Sequence, residues 1–206
     1  MNSTDQNQKK DKSSGWYSII AWLLLALFLR WQVVEPRWIP SGSMLPTLEI
    51  QDRILIEKIR PRVKSWQHKH LKGQSIVVFH PPQKLIDAGY GENSALIKRV
   101  IGLPGDKIEV KNGALILNGE TINEYWRKLP MNYEMDQITI PSHSLWVLGD
   151  NRNNSLDSHL WGLLPEENVI GTAIWRYWPI RKFGPIRFPT PPKIETRDRT
   201  AIRSYS

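Results

Sequence analysis

One apolar run constrains the layout of the whole chain. From Trp16 to Leu29 (Trp-Tyr-Ser-Ile-Ile-Ala-Trp-Leu-Leu-Leu-Ala-Leu-Phe-Leu) no residue carries a charge. Arg30 interrupts, the apolar character resumes to Val34, and Glu35-Pro36 ends it. As a helix the uncharged part covers about 21 Å, against roughly 30 Å of bilayer hydrocarbon. The longer run to Val34 suffices if Arg30 snorkels to the interface. Trp16, Tyr17, Trp31 and Trp38 lie near the two ends, as an interfacial aromatic belt requires. Lys9, Lys10 and Lys12 precede the run and place that side in the cytoplasm, with Arg30 and Arg37 pulling the other way. The expectation is a flexible polar tail at 1–15 and a transmembrane anchor at 16–35. An extracytoplasmic domain at 36–190 and a disordered tail at 191–206 follow. Two other readings exist for the run. A cleavable signal peptide would need an Ala-x-Ala-like site, where the chain offers Arg30-Trp31-Gln32. A buried helix of a soluble domain would not need tryptophans at its ends and lysines before it.

Composition narrows the chemistry of the remainder. The chain has no cysteine, which removes thiol nucleophiles, disulfides and Cys-based metal sites. Its net charge of +8 and ten tryptophans favour acidic surfaces, lipid head groups or nucleic acid among them. A domain placed outside the cytoplasm excludes nucleic acid and leaves membrane lipid.

After Val34 no long helix-period stretch appears. Segments 53–59, 75–80, 95–101, 145–148 and 169–177 are apolar and rich in β-branched residues, with Pro81-Pro82 and Gly102-Leu-Pro-Gly105 as stops. Residues 107–119 read as a hairpin turning at Asn112-Gly113. The fold expected is mainly β, with antiparallel sheets forming a partly closed barrel-like domain behind the anchor helix. Residues 60–74 form a basic loop, a solvated connector or a contact for lipid head groups. Residues 120–140 have weak patterning and read as a mobile insertion.

Just past the anchor lies Pro40-Ser-Gly-Ser-Met-Leu-Pro46. The prolines fix φ and remove two donors, and Gly42 admits backbone angles that other residues resist. A stiff exposed turn follows, holding Ser43 outward. It is an ordinary Ser/Gly/Pro loop unless a base reaches it, because a serine hydroxyl is a weak nucleophile. None of the five histidines is clearly arranged as that base; His159 has Asp157 close in sequence, a spacing common by chance. No His-Glu-x-x-His pattern suggests a metal, and residues 150–161 fail as a calcium loop, with Arg152 at a ligand position and Trp161 where the final Glu belongs. No metal or other cofactor is expected. Lys98 shares a strand face with Leu96 and Val100. An amine on an apolar face is desolvated and loses its proton more readily. Alternatively, Lys98 snorkels from a sheet edge.

Three segments together resemble the type I signal peptidases, membrane-bound Ser/Lys endopeptidases, and are similar to bacterial and particularly cyanobacterial members. They are Pro40-Ser-Gly-Ser-Met-Leu-Pro-Thr47, Ile97-Lys-Arg-Val-Ile-Gly-Leu-Pro-Gly-Asp106 and Gly149-Asp-Asn-Arg-Asn-Asn-Ser-Leu-Asp-Ser-His-Leu-Trp-Gly162. The resemblance implies that Ser43 is the nucleophile and Lys98 its general base. It implies that the Ser43 backbone N–H and the Ser41 hydroxyl form the oxyanion hole, and that Ser155 orients the lysine amine. Asp150, Arg99, Arg152 and Asp157 would form a supporting polar network. One departure stands in the third segment: His159 occupies a place where some members carry Arg. The implied substrates are translocated precursors with small residues, Ala above all, at positions −1 and −3. Their cleavage would occur on the periplasmic or thylakoid-lumen face. A reading from another class, a non-catalytic membrane-tethered β module binding lipid or cell-wall polymer, accounts for the charge and the tryptophans. It gives no reason for Ser43, Lys98 and Ser155 to occur together.

Overall fold

The structure, a computed structural model, describes residues 12–58, 74–124, 126, 127 and 129–186. The expected N-terminal tail (in part), the basic loop through residue 73 and the tail 191–206 lie outside the described residues.

The apolar run is helical: α1 spans Lys12–Val33. However, no helix among the described residues is long and apolar enough to cross a membrane. The helix stops at Val33, before the boundary expected at 35, because Val34–Trp38 are taken by strand β1. Trp16, Tyr17, Trp22, Leu23, Leu24, Leu27 and Phe28 are all more than half exposed, so apolar side chains cover every face of the helix.

The remainder is mainly β and antiparallel, as expected. One eight-stranded sheet runs β1-β2-β11-β3-β4-β9-β10, with β12 paired to β11. Its members are β1 (Val34–Trp38), β2 (Arg53–Glu57), β3 (Ile76–Phe79), β4 (Leu96–Gly102), β9 (Ser144–Leu148), β10 (Leu164–Pro165), β11 (Val169–Trp178) and β12 (Gly184–Pro185). A four-stranded sheet, β7-β6-β5-β8, is built from β5 (Lys107–Lys111), β6 (Ala114–Leu117), β7 (Glu120–Thr121) and β8 (Met135–Thr139). The β5–β6 hairpin turns at Asn112-Gly113, both at positive φ (51° and 70°), the geometry that selects this dipeptide. Residues 120–140 are more ordered than their pattern suggests: β7 and β8 fall within them, and β8 adds an edge that alternates poorly because little of it is buried. Two short helices, α2 (Gln83–Asp87) and α3 (Ser158–Trp161), are too brief to leave a periodic signal.

Two features of this frame position the site. Strand β4 is central, with β3 on one side and β9 on the other, and is buried from Ile97 to Gly102. In register, Lys98 faces Val77 of β3 and Arg99 faces Leu148 of β9, so the chain leaving β9 carries Gly149 and Asp150 past both basic residues. The loop between β1 and β2 is the second feature. It is pinched at its neck by Ile39 N–H donating to Asp52 O (2.9 Å) and Gln51 N–H to Ile39 O (2.8 Å). Met44 and Leu48, both fully buried, fasten it to the core alongside Ile54 and Ile97.

Candidate active site

Ser43 sits at the centre of a single 3-10 turn, Gly42–Met44. Ser41 precedes it in extended conformation, and Leu45 continues toward Pro46 through a cis peptide bond. The turn is held from outside as well. Asn151 N–H donates to Ser43 O (3.0 Å), and Asn151 Nδ2 donates to Gly42 O (3.2 Å). Sequence reasoning passed over Asn151. Its two bonds reach more than a hundred positions along the chain, and only its place in the third segment hints at them.

Lys98 Nζ donates a hydrogen bond to Ser43 Oγ at 2.8 Å. The lysine is only 4% exposed. Burial pushes its amine down from 10.5 to about 8, against the opposing pull of the Asp157 and Asp150 carboxylates. The reading of a desolvated amine therefore holds, and that of a lysine snorkelling from an edge does not. Leu96 and Val100, the neighbours on its strand face, pack in the core with Val77 and Val147.

Ser41 Oγ lies 3.4 Å from Ser43 Oγ, on the exposed side of the turn. A hydroxyl there, next to the Ser43 backbone N–H, can stabilise an oxyanion formed at the serine. Ser155 is brought to the same place, but its hydroxyl has no hydrogen-bond partner among the described residues, so the expected bond to the lysine amine is not formed. The hydroxyl lies instead against Gly149. A Cβ built on that glycine would stand 2.2 Å from Ser155 Oγ and 2.6 Å from Ser43 O, so no side chain fits between the two serines.

The four side chains named for a supporting network, Arg99, Asp150, Arg152 and Asp157, are brought close to Gly149 and the serine turn. Arg99, fully buried, donates from Nε to Asp150 Oδ1 (2.7 Å) and from Nη2 to Asp150 Oδ2 (2.6 Å), and from Nη1 to Gln74 O (2.7 Å). Thr47 donates to the same carboxylate, tying the serine turn to the pair. The Trp126 ring covers the guanidinium at 5.0 Å. Arg152 donates to the Gly149 carbonyl (3.0 Å) and forms a second buried pair with Glu124. Glu124 went unrecognised in the sequence because it lies in the weakly patterned stretch. Asp157, wholly buried, caps α3, accepts from Gly149 N–H (2.8 Å) and pairs with His159, whose Nδ1 lies 2.7 Å from Asp157 Oδ1. No group of three or more acidic or histidine side chains among the described residues is arranged to hold a metal ion.

The geometry is that of a hydroxyl and a deprotonatable amine in contact, in a rigid frame, able to carry out acyl transfer. Comparison with known proteins agrees. The family model described as "Signal peptidase, peptidase S26" matches residues 13–178. The chain is 46% identical over 162 residues to "Probable signal peptidase I-1" of Synechocystis, covering 79% of this chain and 80% of that protein. It is 44% identical over 167 residues to "Signal peptidase I" of Leptolyngbya laminosa, covering 81% and 80%. "Probable thylakoidal processing peptidase 2, chloroplastic" of Arabidopsis thaliana is 40% identical, over 79% of this chain and 43% of that protein. The chain belongs to the signal peptidase family, peptidase S26.

Proposed function

We propose that this protein is a serine endopeptidase that removes N-terminal signal peptides from translocated precursors, with Ser43 as nucleophile and Lys98 as general base. The observation that carries the reading is the 2.8 Å contact between Ser43 Oγ and a buried amine held near 8. In its neutral form that amine accepts the serine proton as Oγ bonds to the scissile carbonyl carbon. The oxyanion is stabilised by the Ser43 N–H and the Ser41 hydroxyl, a role in which one donor is typically worth ~10²–10³ in rate. The C–N bond then breaks, and Lys98 returns the proton to the leaving amine. Water, deprotonated by the same lysine, hydrolyses the ester and frees the signal peptide. Ser155 carries a buried, unpartnered hydroxyl. Its role in this reading is to accept a hydrogen bond from the Lys98 amine and steer it. Gly149 leaves the space it needs.

Support for small residues at −1 and −3 comes from a pocket of about 180 Å³ lined mostly by apolar side chains, Ile39, Pro40, Ile54, Val78, Ala95 and Ile97 among them, with Arg37 and Trp38 also in its wall. Its lining comes from the chain just before the serine turn and from the lysine strand. The membrane placement belongs to the same proposal. α1 lies in the lipid phase with Arg30 at its edge, the lysine-bearing end stays cytoplasmic, and the β domain works at the periplasmic or lumenal surface. The apolar cover on every face of α1 supports this, as do the exposed Trp38, Trp178, Ile180 and Phe183. A non-catalytic tethered module would leave the buried amine unexplained, since an uncompensated charge there costs stability.

The test is cleavage of a precursor after Ala-x-Ala by detergent-solubilised full-length protein. Ser43→Ala and Lys98→Ala each abolish it, and Lys98→Arg does too, because a guanidinium does not give up its proton. Near-normal cleavage by Lys98→Ala would refute the reading. Protease accessibility of the β domain in sealed vesicles, from one side only, checks the topology.

A further inference from the structure

The pocket before the serine turn has one discordant wall. Ile54 and Val78 line it and are buried and apolar, yet Arg37 lines it too. Register explains how the arginine comes there. Arg37 of β1 pairs directly with Ile54 of β2, and directly opposed residues share a sheet face. Val78 and Ile97 are a second directly opposed pair, on β3 and β4, and both line the same pocket. Arg37 is therefore turned toward the pocket rather than away from it.

Its guanidinium is held at one end. Nη2 contacts Glu35, which also accepts from Lys58 Nζ (2.9 Å). Among the described residues the Nε donor is buried without an acceptor. A buried N–H with no partner carries the full cost of its desolvation. The side chain as a whole is 36% exposed, so an occupant of the pocket can touch it.

Spacing decides which part of an occupant does so. Ile39 N–H donates to Asp52 O (2.9 Å) and continues the β1–β2 pairing past Trp38, so residues 37 and 39 are two positions apart on extended chain, roughly 6.6 Å. An extended peptide repeats its side-chain direction over the same distance. The Ile39 end of the pocket lies nearest the serine turn in the chain, and Ile97 precedes Lys98. A −1 residue seated at that end sets −3 against Arg37, with earlier residues running back along β1 toward α1.

We propose that Arg37 is a specificity-determining residue: its Nε–H donates a hydrogen bond to a hydroxyl on the −3 side chain of the precursor, so that Ser and Thr are preferred there over Ala and Val. The proposal rests on the reading of this protein as a signal peptidase that seats −1 and −3 in this pocket. Thr and Val are close in shape, and the hydroxyl is what separates them. With Val in place the donor stays unsatisfied. With Thr, Oγ1 accepts from it while the methyl group lies against the apolar wall. A carboxylate at −3 would lose its hydration in a pocket that is otherwise mostly apolar and only about 180 Å³ in volume, a cost a hydroxyl largely escapes.

The experiment measures kcat/KM of detergent-solubilised full-length protein on peptides that differ only at −3, Thr against Val and Ser against Ala. The same pairs placed at −1 are the control. Each preference is a ratio taken on one protein, so it does not depend on how much of a variant is active. Arg37→Gln puts an amide nitrogen at the position of Nε, and Arg37→Met puts a methyl group there. Wild type prefers Thr to Val at −3 by about tenfold. The Gln variant keeps most of that preference, the Met variant loses it, and the ratios at −1 do not respond to residue 37. No preference at −3 in wild type, an unchanged preference in Arg37→Met, or a dependence on Arg37 at −1 instead of −3 overturns the proposal. Binding of the same peptides to the Ser43→Ala protein, read by isothermal titration calorimetry, gives the ratio without cleavage. A Thr preference in binding that Arg37→Met removes, in a protein whose wild type cleaves none of the peptides, would refute the peptidase and keep the role of Arg37. Normal cleavage with no preference for a hydroxyl at −3 would do the reverse.

Discussion

Lys98 and Arg99 are neighbours on one strand, both buried, and the structure treats them in opposite ways. Arg99 is given a carboxylate bound through two nitrogens, a backbone carbonyl and an aromatic face. Lys98 is given a serine hydroxyl and no carboxylate in hydrogen-bond contact among the described residues. Burial that would be ruinous for an unpaired charge is offset on the arginine side by fixed ion pairing. On the lysine side it is offset only in part, by the charges of Asp157 and Asp150, and appears as a lowered proton affinity. The difference teaches how one strand supplies both scaffold and reactivity: the permanent cation locks the turn that carries Ser43, and the titratable one works on it.

The comparison can be broken from either side. The largest effect is expected on the lysine side, where Ser43→Ala or Lys98→Ala lowers kcat by about 10⁵- to 10⁶-fold. Circular dichroism and the unfolding midpoint show a fold intact in both. On the arginine side, Arg99→Met or Asp150→Asn leaves its partner buried and unpaired, costing about 3–5 kcal/mol in denaturant unfolding. Activity there is lost with the fold rather than with the chemistry.

A third substitution sharpens the contrast by its sign. Lys98→Met stabilises the protein while destroying activity. The Lys98 amine falls from 10.5 to about 8 on folding. Between those values the unfolded chain binds more protons, so wild-type stability rises with pH across that window. The penalty is complete below pH 8, about 3 kcal/mol by linkage, and absent above 10.5. The stabilities of wild type and Lys98→Met should separate as pH falls from 10.5 to about 8, stay a constant distance apart below that, and converge in alkali. The smallest effect is expected at Asn151→Ala. Loss of its bond to the Gly42 carbonyl costs about 1 kcal/mol, with kcat falling roughly tenfold at unchanged KM as the turn loosens.

Local features of this arrangement were legible in the sequence, and its long-range partners were not. The proline-bracketed turn, the β4 strand with Lys98 on an apolar face and the Asn112-Gly113 hairpin each depend on residues close in the chain, where φ restriction and period-two alternation act. Asp150 and Arg99 could be named only through a motif. Glu124, Gln74 and Asn151 contribute backbone atoms or single side chains that meet the site through register. Nothing in their own neighbourhood records that. Helix α1 shows the converse limit. Hydrophobicity marks where a helix forms, while the competing β1 pairing decides where it stops.

The central claim is that Lys98 can be neutral near physiological pH because burial desolvates its amine while no carboxylate among the described residues bonds to it. Site-resolved ¹³Cε titration of Lys98 in the full-length wild-type protein, run beside the pH dependence of kcat/KM, tests it most directly. The account predicts an amine titrating near pH 8, coincident with the acid limb of activity. A Lys98 that keeps its proton to about 10.5, while cleavage proceeds at neutral pH, would contradict it.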